Sequence, residues 1–363
     1  MGQDRPYHSP MADIAAWPEV RRTGILLADG RALSYYDRPP APERTRSDSR
    51  PREALAAATQ GRRDPLTGEW TLVAAHRQNR TYHPADDACP LCPSSPGRPT
   101  EIPESDYQVV VFDNRFPAMR DPGHCEVVCF GPQHDLRVAD LHAERVLLIV
   151  QAWADRVRHL RDRGLVSCLV FENRGAEIGV TLSHPHGQIY AYPFLAPRDR
   201  VILEQAAQHQ ARTGRLLALD ALEEELADGR RILAVTDHWA AYVPYAARWP
   251  FEILLTPRRP TRDLAALDAA QARDFASLYP LLLAAMDRVL GVAMPYVSAW
   301  RQAPLTADEA LGAHLALNIL GMRRAPDKLK HPAGSETAAG VWINDLLPER
   351  SAAMLREAMA ASP

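Results

Sequence analysis

Cysteine is scarce in this sequence, whose 363 residues include only five: Cys89, Cys92, Cys125, Cys129 and Cys168. Five cysteines are too few for a disulfide-stabilised scaffold of this length. No apolar run approaches the ~20 residues that a membrane-spanning helix needs. The first residues, Met1 to Pro6, form no apolar signal-peptide core. Together these absences predict a soluble, cytoplasmic protein with reduced thiols.

An excess of either charge is also absent. The 42 basic and 45 acidic residues leave a net charge of -3 and are mixed along the chain. Such mixing predicts neither a basic surface for nucleic acid nor an acidic tail. The length suits one large domain or two of ordinary size. The composition therefore favours a globular protein that acts on a small molecule.

Residues 39–52 are rich in proline, serine and charge and lack apolar periodicity. This composition predicts a loop or disordered linker after an N-terminal extension. Farther along, β-branched and aromatic runs indicate strands at Trp70–Ala75, Tyr107–Phe112 and Glu126–Phe130. Residues 140–163 have helical spacing instead. Strands and helices should therefore both occur.

The two halves of the sequence resemble each other. Glu126–Pro132 is echoed by Glu252–Pro257, and each is followed by Asp-Leu, a long amphipathic stretch and a histidine, His184 or His314. This repetition predicts an α+β fold of tandem duplicated units, with the chemistry in the first unit. Two unrelated strand–helix–strand stretches are the alternative. The predicted divisions are an extension and linker, an N-terminal unit and a C-terminal unit: 1–60, 61–197 and 198–363.

The strongest chemical signal is the segment His184-Pro185-His186-Gly187-Gln188. Alternate residues of a strand share a face, so His184, His186 and Gln188 should point together. Pro185 cannot donate a ladder hydrogen bond and Gly187 leaves room for a ligand, so the strand should lie at a sheet edge or near its end. A lone histidine would more often be structural. The neighbouring residues favour a phosphate site here.

This segment, with Phe171–Gly175 and Gly179–Thr181 before it, resembles the active-site segment of the galactose-1-phosphate uridylyltransferases, a family of the histidine-triad superfamily. The resemblance extends from about residue 24 to near the C-terminus. It implies tandem duplicated histidine-triad-like units, each an antiparallel sheet with packed helices, and a homodimer. Further matching blocks follow in the family's order: Asp64–Trp70, Ala75–Arg80, Cys89–Cys92, Asp113–Pro117, Leu329–Lys330 and Ala333–Glu336.

The chemistry of the segment can be argued from its residue types. An imidazole presented on a strand can attack a nucleotide-sugar phosphorus, so His186 is the predicted nucleophile. Gln188 can hydrogen-bond to phosphoryl oxygens but cannot shuttle a proton near neutral pH. Water is then a poor acceptor, whereas a sugar phosphate is already ionised. The resemblance implies ping-pong uridylyl transfer from UDP-glucose to galactose 1-phosphate, in galactose metabolism, through a covalent uridylyl-His186.

Charge that develops on the phosphates needs fixed cations and donors. Arg77 and Arg80 match family phosphate-site arginines, although arginines in bare sequence are more often solvated surface charge. Lys330 and Glu336 match hexose-phosphate contacts that a second subunit would supply, and Asn344 is a weaker candidate. The other implied substrate contacts are Asn114, Arg115, Asn173, Gly179, Thr181 and Gln188.

Cys89 and Cys92 have the spacing that lets two thiolates hold one zinc ion, and a tetrahedral site needs two more ligands. The resemblance implies His134 and His184 as those ligands. It also implies one structural zinc per chain, which fixes the strand that presents His186. The other cysteines could compete but should pack in apolar surroundings: Cys125, Cys129 and Cys168.

Some family members have a second, iron-type site made by a glutamate and three histidines. The positions matched to it here form no convincing ligand set: Ile202, Arg301, Ala316 and Asn318. We therefore expect no iron, in keeping with a degenerate second unit.

Two alternative functions use the same fold. A histidine-triad nucleotide-binding protein without turnover is disfavoured by the intact His186, Gln188 and arginine set. A related nucleotidyltransferase or phosphorylase, such as an ADP-glucose phosphorylase-like enzyme, is the closer alternative, because Pro332 lies near the hexose site and Arg301 stands in place of a family histidine. Base and sugar identity rest on the resemblance alone.

Overall fold

The structure, a computed structural model, describes residues 17–52, 59–79, 83–306 and 312–361. It combines helices with antiparallel sheet. The helices are α1 (Ala143–Asp162), α2 (Pro197–Thr213), α3 (Leu217–Asp228), α4 (Ala269–Arg288) and α5 (Pro348–Ala360). The strands are β1 (Arg21–Leu26), β2 (Ala32–Asp37), β3 (Gln60–Arg63), β4 (Trp70–Val73), β5 (Val109–Asp113), β6 (His124–Cys129), β7 (Ser167–Arg174), β8 (His186–Tyr192), β9 (Ile232–Val235), β10 (Trp239–Tyr242), β11 (Phe251–Pro257), β12 (Tyr296–Arg301), β13 (Ala316–Gly321), β14 (Arg323–Ala325) and β15 (Lys328–Leu329).

Eleven strands form one sheet in the order β1-β2-β5-β6-β8-β7-β12-β13-β11-β10-β9. Every neighbouring pair in it is antiparallel. The order β5-β6-β8-β7, with α1 between β6 and β7, recurs as β10-β11-β13-β12, with α4 between β11 and β12. Pairing of β7 with β12 joins the two units into one sheet. The predicted α+β fold of duplicated units is confirmed.

The sequence match of Glu126–Pro132 with Glu252–Pro257 misaligns strands β6 and β11 by one residue. Glu126 faces α1, where Arg156 Nε donates to its Oε2 at 3.0 Å. Glu252 instead accepts from Asn318 Nδ2 at 3.0 Å, on the opposite face of the sheet. Because side chains alternate along a strand, a slip of one residue moves a side chain to the other face. The sequence match located the repeated strands correctly, but Glu126 and Glu252 are not structurally equivalent.

One face of the sheet packs against the paired helices α1 and α4. Their contact explains why α1 is buried almost without interruption from Val146 to Val157. Helix α4 begins with a capping box in which Asp268 Oδ1 accepts from Gln271 N at 2.8 Å and Gln271 Oε1 accepts from Asp268 N at 3.1 Å. No helix among the described residues has the length and apolar composition to cross a membrane.

The other face of the sheet differs between the units. In the second unit Leu222 of α3 packs on Ala240 and Tyr242 of β10, so a helix covers this face. In the first unit His186 and Gln188 of β8 line an open cleft there. The duplication therefore leaves the first unit accessible to a ligand.

The predicted N-terminal extension is wrong for residues 21–37, because β1 and β2 belong to the main sheet. Their hairpin turns at Asp29-Gly30, where Gly30 has a φ of 86° and Leu27 N donates to Arg31 O at 2.8 Å. An Asp-Gly pair between apolar runs is a known hairpin signal. Residues 1–16 and 53–58 of the predicted 1–60 segment lie outside the described residues.

The predicted loop at residues 39–52 has no helix or strand. It is nevertheless tied to the fold by ion pairs. Arg44 Nη2 lies 2.5 Å from Asp37 Oδ1, and Arg50 Nη1 lies 2.6 Å from Glu101 Oε1. These four side chains are mostly buried, so the pairs are shielded from solvent and hold the loop against the first unit.

Candidate functional site

A cleft of about 400 Å³ opens on the face of the first unit that lies opposite α1. Strand residues at alternate positions form its floor, in keeping with the period of two. Those from β7 and β8 are Phe171, Asn173, His186, Gln188 and Tyr190. Loop residues complete the wall. The predicted substrate residues that it brings together with His186 are Arg77, Asn114, Arg115, Asn173, Gly179, Thr181 and Gln188.

The orientation of His186 is fixed by its own strand. Its Nδ1–H donates to the carbonyl oxygen of His184 at 2.7 Å, since a carbonyl can only accept. The Nε2 atom is then the unprotonated nitrogen of the neutral ring. Burial lowers the pKa of His186 below its ordinary value, against the opposing effect of that hydrogen bond. The ring is therefore neutral and nucleophilic at neutral pH.

The strand β8 lies between β6 and β7, so the predicted sheet-edge position is wrong. Pro185 immediately precedes the first strand residue, where its missing N–H disrupts no ladder pairing. A Cβ on Gly187 would lie 2.9 Å from Phe130 Cζ and 3.0 Å from the Phe171 carbonyl oxygen. Gly187 therefore makes room for the helix-side core rather than for a ligand. The predicted end position fits His186, the first residue of β8.

Gln188 belongs to a chain of hydrogen bonds along the cleft floor. Arg77 Nη1 donates to the hydroxyl of Tyr190 at 3.1 Å, and that hydroxyl donates to Gln188 Oε1 at 3.0 Å. A positive charge and an amide thus lie on the same wall as His186. Such donors suit the oxygens of a phosphoryl group.

Asn173 is the last residue of β7 that lines the cleft, and a tight loop follows the strand. Gly179 has a φ of 79°, a left-handed conformation that glycine adopts without strain. The carbonyl oxygen of Thr181 accepts from His83 N at 2.9 Å, which fixes the far end of this loop. The turn brings both Gly179 and Thr181 to the cleft wall.

Asn114 and Arg115 approach the cleft from the end of β5. Asn114 Oδ1 accepts from Phe116 N at 2.8 Å, which holds the turn in place. Arg115 Nη1 lies 3.6 Å from Glu101 Oε1. Glu101 is buried and also pairs with Arg31 at 2.5 Å, so the carboxylate anchors cations on both sides of the turn.

A second cluster lies beside the cleft. Ligand atoms of Cys89, Cys92, His134 and His184 are all within 4.8 Å of one another. Cys92 Sγ lies 3.4 Å from His134 Nδ1 and 3.6 Å from His184 Nδ1. A tetrahedral zinc ion with ordinary bond lengths places sulfur and nitrogen ligands about 3.5 Å apart. Two thiols and two imidazoles at these distances form a possible metal-binding group compatible with zinc.

His184 is oriented for that cluster. Its Nε2–H donates to the carbonyl oxygen of Gly131 at 2.9 Å, and Tyr107 Oη lies 3.0 Å from the same nitrogen. The Nδ1 atom is left unprotonated, facing Cys92. Burial lowers the pKa of His184 to about 4, so the ring stays neutral as a metal ligand must. His184 does not line the cleft with His186, contrary to the predicted common direction.

The other three cysteines pack in apolar surroundings. Cys129 packs in an apolar cluster with Tyr107, and Cys125 packs beside Met119. Cys168 is buried beside Val170 in the main core. The predicted apolar packing is confirmed for all three.

A second group of metal-capable side chains consists of Asp113, His124 and Glu126. Arg156 Nε lies within 3.1 Å of both Glu126 oxygens, so this carboxylate already has a cation. Burial alone would lower the pKa of His124, but Asp113 and Glu126 raise it to about 9. The group is an internal ion-pair network.

The predicted hexose contacts lie elsewhere in the chain. Lys330 Nζ donates to Glu336 Oε1 at 3.2 Å and to the Ile343 carbonyl, and Glu336 Oε2 accepts from Ala333 N at 3.1 Å. Asn344 Nδ2 donates to Ala247 O at 3.0 Å. None of Lys330, Glu336 and Asn344 lines the cleft of their own chain. Arg80 lies outside the described residues.

The positions matched to an iron-type site lie in the second unit. Asn318 is buried with its amide bonded to Glu252, and Ala316 precedes it by two on the same face. Burial lowers the pKa of the nearby Arg301, while Glu252 opposes that effect. Ile202 lies on α2.

Sequence reasoning missed several cleft residues. Phe171 precedes Asn173 by two residues and Tyr190 follows Gln188 by two, so the strand period could have identified both. Glu101 has no comparable signal, because its role depends on arginines that are distant in sequence.

Comparisons with known proteins agree with this geometry. The family model for the N-terminal domain of galactose-1-phosphate uridyl transferase matches residues 116–196 of this chain. The model for the C-terminal domain of the same family matches residues 202–361. A galactose-1-phosphate uridylyltransferase of Streptomyces lividans is 44% identical over 358 residues, which cover 93% of this chain and 98% of that protein. 

Two solved structures are also similar. One described as "Structure of uridylyltransferase" has a TM-score of 0.74 and 32% identity, covering 83% of this chain and 98% of that chain. An ADP-glucose phosphorylase from Arabidopsis thaliana with bound ADP-glucose has a TM-score of 0.65 and 25% identity, covering 83% and 99%. The likeness extends over both units in each case.

Proposed function

The chain belongs to the galactose-1-phosphate uridylyltransferase family, and on that premise we propose that it transfers a uridylyl group from UDP-glucose to galactose 1-phosphate through a covalent uridylyl-His186. One observation favours this mechanism most. His186 donates its Nδ1–H to a backbone carbonyl, so its Nε2 lone pair is available beside donors for phosphate. A nucleophile with fixed orientation loses little entropy on reaching the reactive geometry.

In the first step, Nε2 of His186 forms a bond to the α-phosphorus of UDP-glucose. The bond from that phosphorus to the bridging oxygen breaks, and glucose 1-phosphate leaves with the electron pair. The ring becomes positively charged, and its Nδ1–H donates to the His184 carbonyl throughout. Arg77 and Gln188 supply donors for the oxygens on phosphorus.

In the second step, a phosphate oxygen of galactose 1-phosphate attacks the same phosphorus. The nitrogen–phosphorus bond breaks, UDP-galactose leaves, and His186 regains its lone pair. The attacking oxygen is already ionised, so the step needs no general base. Gln188 supplies no base for water, which favours transfer over hydrolysis.

We propose that Cys89, Cys92, His134 and His184 hold one structural zinc ion. Bound there, the metal supplies a fixed cross-link between chain segments that are distant in sequence. Burial and the neighbouring Cys89 raise the pKa of Cys92 to about 11 when no cation is present. The backbone carbonyl of His184 also orients His186. Loss of the metal would thus disturb the nucleophile through one shared residue.

We further propose that a second copy of the chain supplies Lys330 and Glu336 to the cleft. The two side chains bond to each other in the segment that follows β15, and neither lines the cleft of its own chain. Val341, Ile343 and Leu347 of that segment are exposed apolar residues. Burial of these side chains against another subunit would be favourable. Sedimentation should show a dimer, and a monomer at micromolar concentration would contradict the arrangement.

The test of the mechanism uses UDP-glucose labelled in its α-phosphate. Wild type should retain acid-labile label on the protein, and His186→Ala should retain none. His142→Ala is a matched control, because His142 is exposed before α1. Absence of label on wild type, or equal label on His186→Ala, would overturn the mechanism.

A phosphorylase is the second candidate, because the fold is also that of an ADP-glucose phosphorylase. Chase of labelled protein with galactose 1-phosphate should release UDP-galactose. Release by free phosphate instead would identify the phosphorylase. Nucleotide binding without label would indicate a non-catalytic protein.

A further inference from the structure

The hydroxyl of Tyr190 lies between a cation and the amide of Gln188. It accepts from Arg77 Nη1 at 3.1 Å and donates to Gln188 Oε1 at 3.0 Å. All three side chains line the cleft together with His186. The contact therefore connects a fixed positive charge to the amide that adjoins the nucleophile.

The direction of these hydrogen bonds determines which way the amide points. A guanidinium has only donors, so the phenolic oxygen must accept from Arg77. The phenolic hydrogen is donated to the facing atom of Gln188, the acceptor Oε1. Nε2 is then the amide atom on the side away from Tyr190, and it can donate to a ligand in the cleft that Gln188 lines. The positive charge of Arg77 also polarises the hydroxyl and strengthens its donation.

We propose that Tyr190 is a positioning residue that holds the Gln188 amide with its N–H groups toward the phosphoryl group on His186. The inference rests on the proposed function, because it needs a phosphoryl group at His186. A rotated amide would present Oε1 to phosphoryl oxygens, which repel it. The hydroxyl of Tyr190 disfavours that rotated state, because rotation removes the acceptor of the phenolic hydrogen.

The aromatic ring of Tyr190 has a separate packing role. It meets Phe171 edge to face with centroids 5.0 Å apart, and Tyr192 with centroids 6.4 Å apart. A phenylalanine at position 190 keeps both contacts and removes only the hydroxyl. The variant Tyr190→Phe thus separates positioning from packing.

The matched control is Tyr192→Phe. Tyr192 lies two residues farther along β8, on the same face, but outside the cleft lining. Both variants lose one phenolic hydroxyl from the same strand. Only the first should change the chemistry if the proposal is correct.

The experiment measures single-turnover labelling of His186 with UDP-glucose labelled in the α-phosphate. Tyr190→Phe should label about tenfold more slowly than wild type, because it weakens a hydrogen bond from Gln188 to the phosphoryl group that forms fully only in the transition state. The UDP-glucose concentration for half-maximal rate should change less than twofold, and Tyr192→Phe should match wild type. An equal rate for Tyr190→Phe and wild type would overturn the inference.

A double-mutant cycle tests whether Tyr190 acts through Gln188. In a Gln188→Ala background, Tyr190→Phe should slow labelling by less than twofold, because no amide remains to be oriented. A tenfold effect in that background would refute positioning through Gln188. Failure of wild type to label would count against the proposed function, whereas normal wild-type labelling with unchanged Tyr190→Phe counts only against Tyr190.

Discussion

Replacement of Glu172 by glutamine should make the protein more stable at pH 8 but not at pH 4. Glu172 is buried at the seam between the two units, where Tyr296 of β12 donates to its Oε1 at 2.9 Å. Burial raises the pKa of Glu172 to about 7, against the opposing effect of Tyr296. Glutamine can accept the same hydrogen bond without a charge. The substitution therefore removes the cost of ionising a buried group.

The magnitude follows from linkage between protonation and folding. The unfolded carboxyl has an ordinary pKa of 4.5 and the folded one about 7. Between these values the folded state binds more protons than the unfolded state, so the unfolding free energy falls as pH rises. At about 1.4 kcal/mol per pH unit, the total loss is roughly 3 kcal/mol. Below pH 4.5 the effect disappears, and above pH 7 it is constant.

Urea unfolding monitored by tryptophan fluorescence at several pH values between 4 and 8 measures this effect. The difference in unfolding free energy between Glu172→Gln and wild type should grow with pH and then level off. Glu336→Gln is the matched control. Backbone N–H groups, first that of Ala333, and Lys330 lower the pKa of Glu336 to about 2. Its difference from wild type should stay constant from pH 6 to 8. A constant difference for Glu172→Gln as well would refute the reasoning.

Two further predictions concern the segment before and within β8. His184→Ala should lower bound zinc, measured by metal analysis, and lower the unfolding free energy, because a closed four-ligand site loses one ligand; full zinc content with unchanged stability would contradict this assignment. Gly187→Ala should destabilise the protein by roughly 1–3 kcal/mol in urea titration, because its Cβ would overlap the Phe130 ring and the Phe171 carbonyl. Wild-type stability of that variant would show that the strand can shift freely.

The repeated pattern was readable from sequence because each unit must bury the same helix against the same strands. The periods of apolar residues predicted α1 and the strands near Trp70, Val109 and Glu126 to within a few residues. The hairpin of β1 and β2 was missed although Asp29-Gly30 marks its turn. The predicted division at residue 60 followed composition, and it assigned both strands to the extension.

The different orientations of His184 and His186 could not be derived from strand alternation. Alternation predicts that the two rings share a face, but β8 begins only at His186. His184 precedes the ladder, so its backbone is free to turn the ring toward Cys92. Which residues pair in the ladder depends on β6 and β7, and those contacts are distant in sequence.

Neighbouring residues in the sequence specify the residue types of the chemistry: an imidazole with an amide two residues on, arginines for phosphate, and two thiols with metal-ligand spacing. Local order sufficed there, because period and spacing are properties of neighbouring residues. Tertiary contacts determine that α3 covers the second unit, whereas the first unit has an open cleft. Tertiary contacts also bring the Arg77 side chain to Tyr190, which in turn bonds to Gln188. Those outcomes depend on contacts between segments far apart in the chain, whose positions are set only when the whole sheet has formed.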